Sequence, residues 1–254
     1  MRPVIQAATR GWARLPGPRG PAVMVLGYHR IDHLDDDLAV RPSTFAAQMD
    51  VLVSRRHDVP VLDLHDAVER LSGQAPPRRA VVLTFDDAWA DNHTYALGTL
   101  VDRSLPATLY APSQLLGKAQ HLSPTQLLEM DAAGVTIGAH SRTHPDLRGC
   151  SDAELEAEVR GSREDLEDLL GRPVTSFAYP SGLEDDRVRA AVVAAGYRSA
   201  VTTCRGWTRP TADPYRIPRN IVEDYPPATF SATVRGGSNL LRTADALAGV
   251  LRRS

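Results

Sequence analysis

The stretch AVVLTFDDAWADN, residues 80–92, joins a continuous apolar run to two adjacent carboxylates, Asp86 and Asp87. An apolar run without alternation is typical of a strand buried on both faces, as in a parallel sheet. Two neighbouring acids at the end of such a strand resist joint ionisation. A cation between them, or one carboxylate binding metal while the other moves protons, relieves that repulsion. The alternative is a helix N-terminus, where Asp side chains cap the first backbone amides.

The whole chain of 254 residues supplies about seven candidate strands that alternate with helices. This alternation indicates βα units around a parallel sheet in a single domain. One strand is predicted in VPVLDL, residues 59–64, and a last helix in TADALAGVLRR, residues 243–253. Residues 1–21, rich in Pro, Gly and Arg, are predicted to be a loose N-terminal arm, and residues 22–254 to be the domain.

Polar residues able to bind metal or move protons follow several separate strands: His29, the Asp pair, His140 and the turn 179–182. A (β/α) barrel brings strand ends from the whole ring to one face, where its active site lies. An open sheet concentrates its ligand at one switch point, usually beside a Gly-rich phosphate loop. Neither GxGxxG nor GxxxxGK occurs in the chain. The pattern therefore favours the barrel over the open sheet.

Composition excludes some partners and carries no signal for an oligomeric state. The formal net charge of −2 shows no basic footprint for nucleic acid. No stretch is apolar for long enough to span a membrane, and the N-terminus lacks the apolar region of a signal peptide, so a cytoplasmic protein is expected. The acidic run from Glu154 to Asp168 alternates with Arg and apolar residues, which predicts a solvated helix face.

The segment GAHSRTHPDL places His140 and His144 four residues apart, after a predicted strand. Taken alone, the pair could equally be surface or capping histidines. Together with one Asp, it forms a three-ligand set with an open position, as catalytic Zn²⁺ and similar ions require. Such an ion acidifies water into a nucleophile near neutral pH, and the second Asp is then free to take the proton. These residues predict a hydrolase of acyl bonds.

The motifs TFDDA, HSRTH and FAYPSG together resemble those of the NodB-homology polysaccharide deacetylases, carbohydrate esterase family 4, from Val23 to about Val222. The resemblance implies a distorted (β/α)7 barrel of the NodB-homology type that removes N-acetyl groups from amino sugars or N-acetylated glycans. It also implies one divalent metal ion, with Zn²⁺ first and Co²⁺, Ni²⁺ or Fe²⁺ as alternatives. By the same resemblance Asp86 is the catalytic base, and Asp87, His140 and His144 are the metal ligands.

The third family motif departs from its usual form, because Ala178 and Ser181 stand where an Arg and a Tyr are usual. The oxyanion-holding amide could still come from Ser181, with Tyr179 as a neighbouring candidate, since backbone donors survive a side-chain change. The missing Arg normally orients the catalytic base. Arg219 in YRIPRN is the candidate to replace it, the alternative being a surface Arg beside a proline turn.

The general acid also differs from the family pattern, because no histidine follows His144 to form the family's late Leu-His motif. The segment LGYHRI resembles a branch in which that motif lies at the start of the barrel. His29 is then the candidate acid that protonates the leaving amine, without an identifiable carboxylate partner; the alternative is a His that packs at a strand end. Trp89 is placed to stack on a sugar ring, although Trp is as often a packing residue.

Two other functions stay open at this point. One is a carbohydrate-binding barrel without catalysis, suggested by the changes at Ala178 and Ser181. The other is a deacetylase or esterase of a small acetylated compound that is not a glycan.

Overall fold

The structure is a computed structural model that describes residues 18–73 and 76–237. Seven parallel strands form one sheet in the order β8-β7-β6-β5-β4-β1-β9. In chain order they are β1 (Val23–Tyr28), β4 (Ala80–Phe85), β5 (Thr108–Ala111), β6 (Thr136–Ala139), β7 (Ser176–Ala178), β8 (Ser199–Val201) and β9 (Arg219–Ile221). The short strands β2 (Arg30–Ile31) and β3 (Ala39–Val40) pair only with each other.

The sheet is a nearly closed barrel, because the segment that enters β9 bridges its two edges. Ile217 forms a parallel bridge with Val201 of β8, and Arg219, two residues later, pairs with Val25 of β1. Closure therefore brings β8 and β1 to the same side of the ring. The predicted distorted barrel in a single domain is confirmed.

In the part of the chain that the structure describes, six α-helices surround the barrel: α1 (Pro42–Arg55), α3 (Leu97–Asp102), α4 (Pro124–Ala132), α5 (Asp152–Leu170), α6 (Asp186–Ala194) and α7 (Pro227–Ala232). Along β1, Met24 and Leu26 belong to the layer between sheet and helices, where they join Phe45 and Leu52 of α1. Burial of side chains of this size contributes about 1.5–3 kcal/mol each. The alternate residues of each strand face the barrel interior instead.

Helix α2 (Leu64–Ser72) closes the N-terminal end of the barrel. Its Leu64 and Ala67 cluster with Val25 and Val82 from the first halves of β1 and β4. Asp63 caps the helix, accepting the His65 N–H at 2.8 Å, and its other carboxylate oxygen accepts the Thr136 hydroxyl at 2.9 Å, at the start of β6. Because this end is filled by apolar side chains, a polar site is left to the opposite end.

The predicted strand at residues 59–64 is wrong. Only Val61 pairs, through a single parallel bridge to Val81 of β4. Pro60 has no amide to donate and the chain turns into α2 at Asp63, so a ladder cannot extend. The Val61–Val81 bridge uses the first half of β4. Strand β5 pairs with β4 only further along, at Thr84 and Phe85.

Both chain ends lie largely outside the described residues. Of the predicted arm, residues 1–17 lie outside them, while the Arg19 carbonyl accepts a hydrogen bond from Arg209 at 2.7 Å. The predicted helix at 243–253 also lies outside them. Among the helices of 18–73 and 76–237, none combines the length and the apolar character that crossing a membrane requires.

Candidate metal and catalytic site

The Asp pair lies at the C-terminal end of β4, opposite the end of the barrel that α2 closes. Asp86 continues the parallel ladder by donating its N–H to the Tyr28 carbonyl at 2.9 Å, and it is only 2% exposed. Asp87 and Ala88 then adopt left-handed backbone angles, with φ of 70° and 53°. Successive side chains on a regular strand alternate between its faces. The left-handed turn breaks that alternation, so both carboxylates can serve one site.

Asp87, His140 and His144 form the one group of at least three candidate metal ligands found in the described part of the chain, with ligand atoms all within 4.8 Å of one another. Nε2 of His140 and Nε2 of His144 lie 3.4 Å and 3.5 Å from Oδ1 of Asp87. Two ligand atoms about 2.1 Å from a tetrahedral ion are about 3.4 Å apart. The donor set therefore fits one divalent ion with a further position open.

The tautomer of His140 suits that role. Its Nδ1 lies 2.8 Å from the Ala178 carbonyl, and a carbonyl can only accept, so Nδ1 carries the proton. When the ring is neutral, as a metal ligand must be, Nε2 is then the nitrogen that keeps a lone pair, on the side that faces Asp87. A second partner of this kind is typical of metal-binding histidines, since it orients the ring. The residue at the position of the family Arg thus contributes its backbone carbonyl.

The loop between the two histidines is anchored to α5. Ser141 and His144 both have left-handed backbones, with φ of 60° and 62°, and the Ser141 hydroxyl accepts the His144 N–H at 2.9 Å. Glu158 accepts the N–H groups of Arg142 and Thr143 at 2.8 Å and 2.9 Å, and the Thr143 hydroxyl at 2.6 Å. Helix α5, which begins with a capping box at Ser151, therefore determines where His144 lies.

Arg142 is a second anchor of this loop. Its guanidinium donates to both carboxylate oxygens of Asp165, at 2.8 Å and 2.7 Å. It crosses α5 at Gly161, where a Cβ would lie 2.3 Å from Cζ of Arg142. Glu158 and Asp165 are half-buried and hold the loop, while other acids of the same run are exposed, as predicted: Glu154, Glu156, Glu164 and Asp168. The spacing of seven residues between Glu158 and Asp165 on one helix face was the available signal, and it does not reveal a partner.

Asp86 is paired with Arg219. Nη1 and Nη2 of Arg219 donate to Oδ1 and Oδ2 of Asp86 at 2.6 Å each, and Arg219 is fully buried. Nε donates to the Thr202 carbonyl at 2.9 Å, and Nη1 also lies 3.2 Å from the Thr84 hydroxyl. Burial alone would raise the pKa of Asp86, but the charges of Arg219 and His140 outweigh it and hold that pKa below its usual range. The carboxylate is thereby kept ionised inside the barrel.

His29 borders the same carboxylate, with its Nε2 3.9 Å from Oδ2 of Asp86. Its Nδ1 is buried and has no hydrogen-bond partner among residues 18–73 and 76–237. Its backbone is held by Asn92, whose amide donates to the His29 carbonyl at 2.9 Å and also to Asp91. Asp86 is thus the carboxylate that the structure brings next to His29, and a separate acidic partner on Nδ1 is not seen there.

Trp89 contacts the metal-ligand set directly. Its indole N–H donates to Oδ2 of Asp87 at 3.1 Å. The His121 ring stacks on the indole with centroids 4.5 Å apart, and Cζ of Arg30 lies 4.6 Å from the ring centre. These contacts occupy ring surface that stacking on a sugar would need.

The turn after β7 separates the two oxyanion candidates. Ser181 is exposed, with a left-handed φ of 56°, in the 3₁₀ turn Pro180–Gly182. Tyr179 is fully buried, its hydroxyl donating to the Tyr215 carbonyl at 3.0 Å and its N–H to the Val201 carbonyl at 3.2 Å. Both donors of Tyr179 are used within the fold, which favours Ser181 over Tyr179 as the oxyanion candidate.

Backbone strain concentrates at this end of the barrel. The non-glycine residues with positive φ number seven in the described ranges, and five of them are Asp87, Ala88, Ser141, His144 and Ser181. Left-handed backbone in non-glycine residues persists where surrounding contacts over-determine it, which is common at active sites.

Comparison with known proteins agrees with this geometry. Residues 73–200 match the family model for polysaccharide deacetylase. A chitooligosaccharide deacetylase of Bradyrhizobium sp. (strain ANU 289) is 31% identical over 154 residues, covering 58% of this chain and 67% of the relative. The poly-beta-1,6-N-acetyl-D-glucosamine N-deacetylase of Staphylococcus epidermidis is 26% identical over 234 residues, covering 80% of each.

Among solved structures, the Streptococcus pyogenes deacetylase PplD in complex with acetate superimposes with a TM-score of 0.79 at 25% identity. The match covers 85% of this chain and 99% of that one. The segment that matches the family model contains both the Asp pair and the His pair, and the relatives are named as deacetylases, which are hydrolases of amide bonds. The chain belongs to the polysaccharide deacetylase family, the NodB-homology group of carbohydrate esterase family 4.

Proposed function

We propose that this protein is a metal-dependent hydrolase that removes an N-acetyl group from an amino sugar of a glycan or glycoconjugate. The observation that carries the proposal is the adjacency of two carboxylates with different partners. Asp87 faces two imidazoles, while Asp86 is held by Arg219. Such a pair separates metal binding from proton transfer. The choice of an N-acetylated glycan draws on the relatives named for chitooligosaccharide and poly-N-acetylglucosamine.

The group held by Asp87, His140 and His144 would be one divalent ion, with Zn²⁺ favoured by the two-nitrogen, one-oxygen donor set. Such an ion polarises the acetyl carbonyl and acidifies water next to it. The imidazole of His140 is held ready by its bond to the Ala178 carbonyl. His144 is placed by the loop anchored on α5.

Asp86 acts as general base, taking a proton from the attacking water. Its low pKa keeps it ionised, and the two bonds from Arg219 fix the orientation of its carboxylate. His29 acts as general acid, giving a proton to the departing amine from Nε2. Positioned acids and bases of this kind contribute about 10²–10⁴-fold each to a rate. The exposed Ser181, by its backbone N–H, donates to the acetyl oxygen as negative charge develops.

The test is acetate release from N-acetylglucosamine, its β-1,4 and β-1,6 oligomers and simple acetamides, with and without a chelator. We expect release from the oligomers, abolished by the chelator and restored by Zn²⁺. Asp86→Asn should lose turnover and keep the metal, whereas His140→Ala should lose both. His93→Ala serves as the control, because His93 pairs with Glu129 away from the site.

Three outcomes would redirect the proposal. Near-normal turnover by Asp86→Asn would show that Asp86 is not the base. Release from acetamides alone would support the small-compound alternative. Oligomer binding without acetate release, in metal-loaded protein, would support a carbohydrate-binding barrel.

A further inference from the structure

We infer that Trp89 is a positioning residue of the metal site, whose indole N–H holds Asp87 as a ligand through one oxygen. The two oxygens of Asp87 have different surroundings. Oδ1 faces Nε2 of both histidines, at 3.4 Å and 3.5 Å, while Oδ2 accepts the indole N–H at 3.1 Å. An indole nitrogen can only donate, so the direction of this bond is unambiguous.

The bond matters because a carboxylate can bind a cation through one oxygen or through both. Engaging Oδ2 leaves Oδ1 as the oxygen that faces the ion. A single oxygen with two imidazoles suits a tetrahedral ion such as Zn²⁺ or Co²⁺. Partners that bind a ligand from outside the coordination sphere typically set metal affinity within about 10–100-fold.

The indole itself is held on its face and along its backbone. The His121 ring stacks on it at 4.5 Å with an interplanar angle of 24°. Arg30, whose Nε donates to Asp91 at 2.9 Å, places its guanidinium 4.6 Å from the ring centre. The backbone is pinned on both sides, by the Ala90 N–H to the Gln120 carbonyl and by the Leu122 N–H to the Ala88 carbonyl, each at 2.8 Å. The donor is therefore preorganised before an ion binds.

This inference rests on the metal site of the proposed function, but it assigns Trp89 to the metal instead of to the sugar. The first test is a chelator competition with Zn²⁺ and Co²⁺ on Trp89→Phe, which keeps an aromatic ring and loses the N–H. We expect affinity to fall about 10–100-fold, and the visible spectrum of bound Co²⁺ to change. Trp207→Phe is the matched control, since Trp207 is a buried indole of the hydrophobic core, and this variant is expected to leave affinity and spectrum unchanged. Unchanged affinity and spectrum in Trp89→Phe would overturn the inference.

A second measurement uses metal-free protein and does not require a substitution of Trp89 itself. The three indole N–H signals of ¹⁵N-labelled protein can be assigned to Trp12, Trp89 and Trp207 by Trp12→Phe and Trp207→Phe. Removing the acceptor with Asp87→Ala should move the Trp89 proton signal upfield and speed its exchange with water, leaving that of Trp207 in place. An unmoved Trp89 signal would overturn the inference. Neither measurement uses a substrate, so both would still test the role of Trp89 if the protein were not a deacetylase.

Discussion

Arg219 and Asp86 meet through two hydrogen bonds of 2.6 Å at positions 133 residues apart in the chain. Arg219 leaves β9 and reaches the end of β4 across β1, which lies between them in the sheet. Gly27 of β1 makes room for Ile221 of β9, since a Cβ there would lie 2.8 Å from Cδ1 of Ile221, whereas its distance of 3.8 Å from Nη1 of Arg219 would be an ordinary contact. A barrel without the family's usual Arg therefore supplies a guanidinium to the same carboxylate from another strand.

Replacing Arg219 by Met should abolish turnover and destabilise the fold. Removing one partner of a buried ion pair leaves an uncompensated charge, at a cost on the order of 3–5 kcal/mol. The double variant Arg219→Met with Asp86→Asn should recover most of that stability without recovering activity. Chemical denaturation and acetate release measure the two effects. Arg216→Met is the control, because Arg216 pairs with Glu184 at the exposed rim. Equal stability of Arg219→Met and wild type would contradict the pairing.

Stability should fall at acid pH through the same pair. Arg219 and His140 outweigh the effect of burial and hold the pKa of Asp86 below its usual value, so the folded state binds that proton more weakly than the unfolded chain does. The stabilisation is complete above the unfolded pKa of about 3.9 and is lost as the pH falls through the lower folded-state pKa. The difference between the denaturation midpoints of wild type and Asp86→Asn, measured in metal-free protein, should begin to shrink as the pH falls below about 4. A constant difference down to pH 2 would argue against a lowered pKa.

Gly161→Ala should weaken metal binding although it raises helix propensity. Ala in place of an exposed helix Gly normally stabilises by about 0.5–1 kcal/mol. At position 161 the new Cβ would lie 2.3 Å from Cζ of Arg142, forcing that guanidinium off Asp165 and releasing the loop of His144. Gly98→Ala is the matched control, because no atom beyond the neighbouring backbone of its own helix lies within 4 Å of its added Cβ. Thermal unfolding and Zn²⁺ competition should show loss at 161 and slight gain in stability at 98. Unchanged Zn²⁺ affinity in Gly161→Ala would show that the contact of Arg142 with α5 does not support the metal site.

His29→Gln should lower kcat with little effect on KM or metal content. Loss of a positioned general acid typically costs about 10²–10⁴-fold in rate. His57→Gln, an exposed position after α1, is the control and should behave as wild type. A substrate whose leaving amine is more acidic should be affected less by His29→Gln. A rise in KM with unchanged kcat would instead make His29 a binding residue.

The local motifs were readable from sequence because adjacent residues and residues four apart are constrained by the chain itself. Asp86 and Asp87 follow a buried strand, and His140 and His144 belong to one turn, so a correct barrel topology was enough to bring them to one face. The same local reasoning failed for the strand predicted at residues 59–64. That segment is apolar, but Pro60 lacks the backbone N–H that a strand needs, and Val61 forms only an isolated bridge.

The sequence by itself determined the barrel and the identity of the acids and histidines at its C-terminal end. The sequence named Arg219 as a candidate partner of Asp86, but only the tertiary structure decided between that role and a surface Arg. Only the tertiary structure showed that Glu158 and Asp165 hold the histidine loop, through contacts that no spacing encodes. The physical reason is that a buried carboxylate needs a cation as its partner, and a strained loop needs hydrogen bonds, from whichever element packs beside it. That element is chosen by how β9 closes the ring and where α5 lies across the histidine loop.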